Sequence, residues 1–339
     1  VIDSNGTFVN DNGCHATVTY TITQPDDVII TLEPSLTDLA CFGDSNGNLD
    51  ISVNGGNGNY SYSWTATNGG IIPSGQESGQ DLTNLIAGDY TVEVIDANGT
   101  FGNEDGCYAT ETFTITQPDD VIITLEPSFT ELDCFGDSDG NLDISIDGGD
   151  GNYSYSWTAT NGGIVPSGQE NGQDLTDLIA GDYTVEVIDA NGTFGNEDGC
   201  LAQETYTITQ PDDVIITLEP SLTEIECFGD GNGNLDISVN GGDGNYSYSW
   251  TATNGGIIPS GQESGQDLTD LIPGDYTVEV IDSNGTFGND NGCHATETYT
   301  ITEPDDVIIT LEPSFTELDC FGDSDGNLDI SVDGGNGAF

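Results

Sequence analysis

The strongest constraint on the fold of this chain is an internal repeat of 93 residues. The eight cysteines form two series in which each member follows the previous one by 93 residues. The first series is Cys14, Cys107, Cys200 and Cys293, and the second is Cys41, Cys134, Cys227 and Cys320. Such a period is too long for the hairpin unit of a solenoid, and it matches an independent domain of about 100 residues. The sequence therefore predicts a row of small domains.

The domain boundaries follow from this period. We expect three whole domains, at residues 26–118, 119–211 and 212–304. Residues 1–25 correspond to the end of a domain, and residues 305–339 to the start of another. The two terminal pieces together lack the middle strands, so they cannot complete a domain between two molecules. We therefore expect the chain to be part of a longer array.

The charge of the chain excludes several classes of partner. Lysine and arginine are absent, whereas Asp and Glu number 61, so the formal net charge is −61. Nucleic acid and anionic membranes are held by cationic side chains, and we expect neither as a partner. The sequence has no stretch of about 20 apolar residues, so we expect no membrane span in this segment. The carboxylates must be relieved by water, backbone N–H groups or bound cations, and their repulsion favours an extended, soluble chain.

The order of side chains within a repeat predicts short β-strands. In residues 119–211, Leu142, Ile144 and Ile146 alternate with polar residues, and 181–189 alternate in the same way. Further strands are expected at 120–126, 153–159, 174–178 and 204–209, with a short continuation at 129–134 and room for an extra strand in 161–173. No segment shows a helical period. We therefore predict an all-β fold of tandem Ig-like β-sandwich domains.

Two aromatic positions recur in every whole repeat. A tryptophan lies in the middle of the third strand of the sandwich, strand C, and a tyrosine lies at the start of strand F, where Ig-like domains have a tyrosine corner. We interpret both as core residues rather than ligand-binding residues. They are Trp64, Trp157 and Trp250, with Tyr90, Tyr183 and Tyr276.

The cysteines predict disulfides formed in an oxidising compartment, because each repeat has two of them without a CxxC motif or a repeated histidine. Three pairings are open. They are Cys41–Cys107 within a repeat, Cys14–Cys41 across a domain junction, and Cys41–Cys200 with Cys134–Cys293 between successive repeats. We favour the first. The two cysteines of one Ig-like domain would, however, lie near opposite poles, which is an argument for the third.

Oxygen-bearing side chains at alternate positions around a glycine follow each cysteine of the second series. This pattern suits a hard cation such as calcium, although the spacing is not that of an EF-hand. A plain turn is favoured over calcium by a small margin, because Asp, Asn and Gly favour turns. The candidate ligands are Asp44, Asn46, Asn48 and Asp50; Asp137, Asp139, Asn141 and Asp143; Asp230, Asn232, Asn234 and Asp236; and Asp323, Asp325, Asn327 and Asp329. A weaker candidate, interpreted first as a solvated loop, contains Asp96, Asn98, Asn103, Glu104 and Asp105.

Nothing in the sequence predicts catalysis. His15 and His294 occupy the same repeat position, but Tyr108 and Leu201 replace them in the other repeats. Motifs such as GxSxG, HExxH and a phosphate-binding loop are missing. NGT triplets at Asn98, Asn191 and Asn284 fit the glycosylation pattern, but a β-turn is the simpler interpretation. We expect a protein that is not an enzyme.

The motifs of each repeat resemble a known family. They are CFGDSDGNLDISIDGG, YSYSW, DLTDLIAGDYTVEVIDANG, GC and TITQP, and together they are similar to the SprB-type repeat. That repeat occurs in very large cell-surface adhesins of Bacteroidetes, including gliding-motility adhesins. The resemblance implies an Ig-like fold, an extracellular location at the cell surface and export by the type IX secretion route.

Two functions are compatible with these features. The repeats could form a stalk or filament, in which each repeat contacts its neighbours and identical chains associate side by side. Alternatively, each repeat could bind glycans or a surface and gain avidity by repetition. Exposed aromatic side chains would favour the second function, and Phe101, Phe194 and Phe287 recur in one loop.

Overall fold

The computed structural model describes residues 17–102, 107–194, 200–288, 293–312, 320–324 and 326–337. Regular secondary structure within these ranges consists of β-strands. The ranges contain no helix that is long and apolar enough to cross a lipid bilayer. The predicted all-β fold class is therefore confirmed.

Each whole repeat contributes seven described strands in the same order. In the first they are β1 (Ile29–Leu32), β2 (Gly47–Leu49), β3 (Ile51–Asn54), β4 (Tyr60–Thr67), β5 (Leu82–Leu85), β6 (Gly88–Asp96) and β7 (Tyr108–Ile115). In the second they are β8 (Asp119–Leu125), β9 (Gly140–Leu142), β10 (Ile144–Gly149), β11 (Ser154–Thr160), β12 (Leu175–Leu178), β13 (Gly181–Ile188) and β14 (Leu201–Ile208). In the third they are β15 (Ile215–Leu218), β16 (Gly233–Leu235), β17 (Ile237–Asn240), β18 (Ser247–Thr253), β19 (Leu268–Leu271), β20 (Gly274–Ile281) and β21 (His294–Ile301). β22 (Asp305–Leu311) and β23 (Ile330–Gly335) follow.

The strands of a repeat form two layers. In the first repeat β4, β6 and β7 form one antiparallel sheet, while β1 pairs with β3 and β2 with β5 in the other layer. A parallel bridge from Asp38 to Thr116 joins the segment after β1 to the end of β7. This arrangement is that of an Ig-like sandwich, and the second and third repeats have the same strand order.

Strand alternation produces the core of the first repeat. Tyr90, Val92 and Val94 of β6 are completely buried, whereas the residues between them are half-buried on the other face. Trp64 of β4 and Leu49 of β2 belong to the same cluster. The six recurring aromatic residues are all in the interior: Trp64, Trp157 and Trp250 are each 4% exposed, and Tyr90, Tyr183 and Tyr276 are 0% exposed.

The polar atoms of these aromatic residues have partners inside the repeat. The Tyr90 hydroxyl donates to the carbonyl of Ile86, four residues earlier, at 2.9 Å. The same bond occurs in the second and third repeats at 2.8 Å. The Trp64 indole N–H donates to the carbonyl of Gly79 at 2.9 Å. These bonds form a tyrosine corner and satisfy the groups that burial removes from water.

The predicted second strand is divided in two, which alternation alone did not indicate. Asp50 separates β2 from β3. Side chains take over the backbone bonds at this point, because Ile51 N–H donates to Asp81 Oδ1 at 3.0 Å and Gln80 Nε2 donates to the carbonyl of Ile51 at 2.5 Å. The strand can therefore change its partner from β5 to β1.

The connection at 161–173 contains turns and no additional strand, so that expectation was wrong. Gln169 N–H donates to the carbonyl of Pro166 at 3.0 Å, and Gly172 N–H donates to the carbonyl of Gln169 at 2.9 Å. The Gln169 side chain in turn accepts the Thr176 N–H at 2.8 Å. Because these groups bond within the connection and to the start of β12, little backbone is left for a ladder.

The chain divides into two compact units whose boundaries cut through the second repeat. The first unit contains the residues up to Ile122, together with Asp147–Ser154 and Ile188–Ala202. The second contains Ile123–Ile146, Tyr155–Val187 and the residues from Gln203 onward. The end of the second repeat that carries the loop after β13 therefore belongs with the first repeat in space.

The joint between repeats as the candidate functional site

One half of the joint is the end of a repeat that carries a cysteine of the second series. In the first repeat this cysteine end comprises residues 35–44 and 116–117. Leu39 N–H donates to the carbonyl of Thr116 at 2.8 Å, and Gly43 N–H donates to Gln117 Oε1 at 2.9 Å. Asp44 Oδ2 accepts the Cys41 N–H at 3.3 Å. These bonds fix Cys41 beside the last residues of β7.

The other half of the joint is the loop end of the following repeat, which comprises residues 189–192 and Cys200 in the second repeat. Asp189 is 2% exposed, and its Oδ1 accepts the Asn191 N–H at 2.9 Å. Asp189 N–H donates to the carbonyl of Cys200 at 3.1 Å. A Cβ on Gly192 would lie 2.7 Å from that carbonyl oxygen, so only glycine fits. The turn therefore holds Asn191 and Cys200 side by side.

A disulfide and a hydrogen bond connect the two halves. Cys41 is bonded to Cys200, with their Cα atoms 4.9 Å apart, and Asn191 Nδ2 donates to the carbonyl of Ala40 at 3.4 Å. The next joint repeats this arrangement: Cys134 is bonded to Cys293 with a Cα separation of 4.8 Å, and Asn284 Nδ2 donates to the carbonyl of Asp133 at 3.2 Å. All four cysteines are buried. The pairing is that between successive repeats.

The favoured pairing within a repeat is wrong. Cys107 directly precedes β7, whereas Cys41 is held beside Thr116 and Gln117, after its last residue. Eight residues of strand separate these positions by about 26 Å, whereas bonded cysteines have Cα atoms within about 7 Å of each other. The pairing across a junction is also not formed by Cys134 or Cys200, whose partners are given above. Cys14 lies outside the described residues. Cys227 and Cys320 are exposed and have no disulfide partner among the described residues.

The candidate calcium ligands of the first repeat do not converge on one point. Asp44 accepts the Cys41 N–H, and Asn48 Oδ1 accepts the Leu36 N–H at 3.0 Å. Asn46 is exposed, and Asp50 faces Asp81. The polar bonds are therefore those of a turn that secures the cysteine end.

The equivalent positions behave in the same way where they are described. Asp137 and Asp323 accept the N–H groups of Cys134 and Cys320 at 3.1 and 2.7 Å. Asn141 and Asn234 accept the N–H groups of Phe129 and Leu222 at 2.9 and 3.0 Å. The backbone N–H of Asp230 donates to the carbonyl of Cys227 at 3.3 Å. The exposed positions are Asp139, Asp143, Asn232, Asp236, Asn327 and Asp329, and Asp325 lies outside the described residues.

The weaker candidate site is divided by the limits of the described residues. Asp96 is 2% exposed, and its Oδ1 accepts the Asn98 N–H at 2.8 Å, as in any Asx turn. Asn103, Glu104 and Asp105 lie outside the described residues. Across the described residues, no group of three His, Cys, Asp or Glu side chains could hold a metal ion. Calcium binding at either place stays a prediction.

The sequence has no Lys or Arg, and neighbouring carboxylates and burial raise the pKa of two carboxyl groups at one edge of the sandwich. Repulsion by Asp81 raises the pKa of Asp50, with smaller effects from desolvation and Glu33. Burial raises the pKa of Asp143, assisted by Asp174 and Glu126. The local environment therefore disfavours the ionised form at this edge of the sandwich.

A cleft of about 550 Å³ lies at the joint between the second and third repeats. Most of its walls come from the cysteine end of the second repeat, and Asp243 and Asn284 come from the loop end of the third. The lining residues are Ser128, Phe129, Thr130, Glu131, Leu132, Asp133, Thr209, Gln210, Pro211, Asp243 and Asn284. Three of them are carboxylates, and no cysteine, histidine or lysine is among them.

Sequence reasoning missed the asparagines of the joint. From the sequence, Asn191 and Asn284 are expected only to form part of β-turns at NGT triplets. A usable signal was present, because Asp-x-Asn-Gly directly after an alternating strand favours an Asx turn that places the asparagine at the tip. The turn reading of these triplets agrees with the bonds of Asp189 and Asp282 to the N–H groups of Asn191 and Asn284.

A known family matches a stretch of each repeat that includes the first segment of the cysteine end, residues 35–44 in the first repeat. The family model of the SprB repeat matches residues 34–69, 127–162, 220–255 and 313–339. Four segments of the chain therefore match the SprB repeat. In each whole repeat the SprB match begins shortly before the cysteine of the second series and ends just after strand C.

A search of solved structures found matches that cover most of this chain at low sequence identity. The I-band fragment I67–I69 of titin is 15% identical over 84% of this chain and 99% of the fragment, with a TM-score of 0.35. Three N-terminal domains of the Hoc capsid protein of bacteriophage RB49 are 15% identical over 81% of this chain and 98% of that protein, with a TM-score of 0.33. The eight N-terminal Ig domains of DSCAM are 13% identical over 91% of this chain and 40% of theirs, with a TM-score of 0.30. A search of curated proteins found no match.

Proposed function

We propose that this chain is a structural stalk or filament segment of a large secreted bacterial cell-surface protein, without catalytic activity. The observation that carries the proposal is the joint between successive repeats. Each described joint between whole repeats is closed by a buried disulfide and by an asparagine bond to a backbone carbonyl. Such a joint restrains bending between neighbours, which a spacer requires and a flexible string of binding modules does not.

Composition supports a location outside the cell. Disulfides persist in oxidising compartments and are rare in the bacterial cytoplasm. A net charge of −61 keeps the chain soluble and makes like surfaces repel one another. Export by the type IX route belongs to the same proposal and derives from the likeness to SprB repeats. Side-by-side association of identical chains is also part of the proposal, and it would have to overcome this repulsion.

A second candidate is a repeated adhesive module for glycans or surfaces. It is favoured by Phe101, Phe194 and Phe287, which are each 41–42% exposed at the same place in every whole repeat. Aromatic faces exposed in this way can stack on sugars, and repetition would multiply a weak contact.

The first experiment measures stiffness. Small-angle scattering and electron microscopy would compare residues 1–339 with a variant that opens both joints, Cys200→Ser with Cys293→Ser. We expect a narrow distribution of end-to-end distances for the oxidised chain and a broad one for the variant. Cys227→Ser is the matched control, because Cys227 lies outside both disulfides. Equal breadth in all three proteins would contradict the stalk.

The second experiment separates the two candidates by binding. The oxidised chain is applied to a glycan array, alone and as a Phe101→Ala, Phe194→Ala and Phe287→Ala variant. The stalk predicts no specific signal. A specific signal that the alanine variant loses would favour the adhesive module. Repeating the scattering with a chelator tests calcium, since a calcium-dependent stalk would lose stiffness.

A further inference from the structure

The two disulfides interleave along the chain. Each of them spans 159 residues. Their cysteines occur in the order Cys41, Cys134, Cys200, Cys293, so each closed loop contains one cysteine of the other pair. Disulfides within single repeats would have produced separate loops. Here the two bridges belong to one covalent network.

Three backbone segments run between the two bridges. They are residues 41–134, 134–200 and 200–293, with lengths of 93, 66 and 93 residues. Each begins at one bridge and ends at the other. A force that separates the bridges therefore acts on all three segments at once. The distance between the bridges cannot exceed the extended length of the shortest segment, residues 134–200.

Every one of these segments contains folded strands. The first contains β2 to β8, the second β9 to β13, and the third β14 to β20. In a chain without bridges the repeats would be loaded in series, and each could unfold alone and release about 93 residues. In the bridged chain, separating the bridges requires all three segments to yield together.

We propose that the interleaved disulfides carry tension around the β-sandwiches, so that the repeats between them cannot unfold one at a time under load. This inference rests on the proposed stalk function and gives it a mechanism. The backbone from residue 41 to residue 293 is 252 residues long, but the bridged chain can span this interval with 66 residues at most. The bridges withhold the length of two repeats, about 186 residues, or about 65 nm at roughly 3.5 Å per residue.

This length distinguishes the interleaved network from bridges within single repeats. Either bridge alone withholds 159 residues, or about 56 nm. Two bridges within single repeats would withhold about 66 residues each, or about 46 nm together. The second interleaved bridge adds only about 27 residues to the 159 that the first withholds, whereas a second bridge within another repeat would double the withheld length.

The experiment is single-molecule pulling of residues 1–339 by tags added at both ends. Cys14, Cys227 and Cys320 are changed to Ser, and Cys107 is kept so that a bridge within the first repeat could still form. We expect the fully extended oxidised chain to be about 65 nm shorter than the reduced chain. We also expect one cooperative event in place of three separate steps of about 33 nm.

The matched control removes one bridge with Cys134→Ser and Cys293→Ser, and here the difference should fall to about 56 nm. A difference near 46 nm, no difference, or separate release of single repeats in the oxidised chain would overturn the inference. The scattering and glycan-array experiments test the stalk function separately from this inference. A broad distance distribution or a specific glycan signal would contradict the stalk without changing the length that the bridges withhold.

Discussion

At the scale of single residues, the notable feature is that carboxylates are stabilised without any cationic side chain. Asp275 accepts hydrogen bonds from Thr300 Oγ1 at 2.7 Å and Asn254 Nδ2 at 2.5 Å. These bonds hold the pKa of Asp275 below its ordinary value of 3.8. Asp89 and Asp182 have equivalent partners, and their pKa values are lowered by the same bonds. In each whole repeat, neutral hydrogen-bond donors thus stabilise the ionised carboxylate, as a cationic side chain would in an ion pair.

The first prediction concerns acid stability. A lowered pKa in the folded state contributes stability that is complete above the unfolded value and is lost as the pH falls through the folded value. The variant Asp89→Asn, Asp182→Asn and Asp275→Asn should therefore melt at a lower temperature than the original chain at pH 7. The difference should close as the pH falls below 3.8. Calorimetry from pH 7 to pH 2 measures it, and a difference that is constant with pH would contradict the assignment.

Asp50 provides a test of opposite sign. Its pKa is raised above the ordinary value of 3.8, and repulsion by Asp81 is the largest cause. The folded state therefore loses stability as the pH rises from 3.8 through the pKa of Asp50 in the folded state. Asp50→Asn should accordingly raise the melting temperature at pH 7. Added salt should reduce the gain, because the repulsion is exposed to solvent.

At the scale of the elements, close backbone contact fixes where strand F begins. Gly274 opens β20 with φ at 155°, and a Cβ there would lie 2.1 Å from the backbone nitrogen of Gly256. The first and second repeats have the same contact at Gly88 and Gly181. The start of strand F can therefore lie directly against the turn that follows strand C.

The second prediction follows from this contact. Gly274→Ala should destabilise the third repeat by more than about 3 kcal/mol, because backbone must move and the φ angle disfavours a side chain. Gly261→Ala is the control: its φ is 90°, but a Cβ there meets no atom within 4 Å, so only about 1 kcal/mol is expected. Hydrogen exchange resolved by repeat measures both. Similar losses of protection would show that conformational strain, not contact, is responsible.

The strand positions could be predicted from the sequence better than the strand break or the disulfide pairing. Alternation located β13 to within a residue and placed Tyr183 and Val185 in the core, because burial of one face imposes a period of two. It could not find the break at Asp143, since alternation continues across it while side chains from the following connection replace the ladder. It also favoured the wrong pairing for Cys41. That pairing depends on which end of β7 the segment before Cys41 reaches, a long-range contact that no local pattern contains.

At the scale of the whole molecule, cysteine accessibility reports the arrangement of repeats. Cys41 and Cys134 are 5% and 2% exposed at joints, whereas Cys227, at the same position in the third repeat, is exposed. Phe228 beside it is 55% exposed, compared with 42% and 41% for Phe42 and Phe135. A loop end therefore covers the cysteine end wherever a joint is present.

The third prediction is that a maleimide labels Cys227 and Cys320 in the unreduced chain and labels Cys134 and Cys293 only after reduction. Mass spectrometry of unreduced peptides should find Cys41 linked to Cys200 and Cys134 linked to Cys293. A protease that cuts after Glu is suitable, because trypsin has no site in a chain without Lys and Arg. Cys293→Ser should make Cys134 reactive, and a peptide linking Cys41 to Cys107 would contradict the structure.

Because every whole repeat carries both a cysteine end and a loop end, any copy can be the neighbour of any other. An in-frame gain or loss of one 93-residue block by recombination would regenerate an identical joint at the site of the change. The length of such an array can therefore drift by whole blocks over generations without a single compensating substitution.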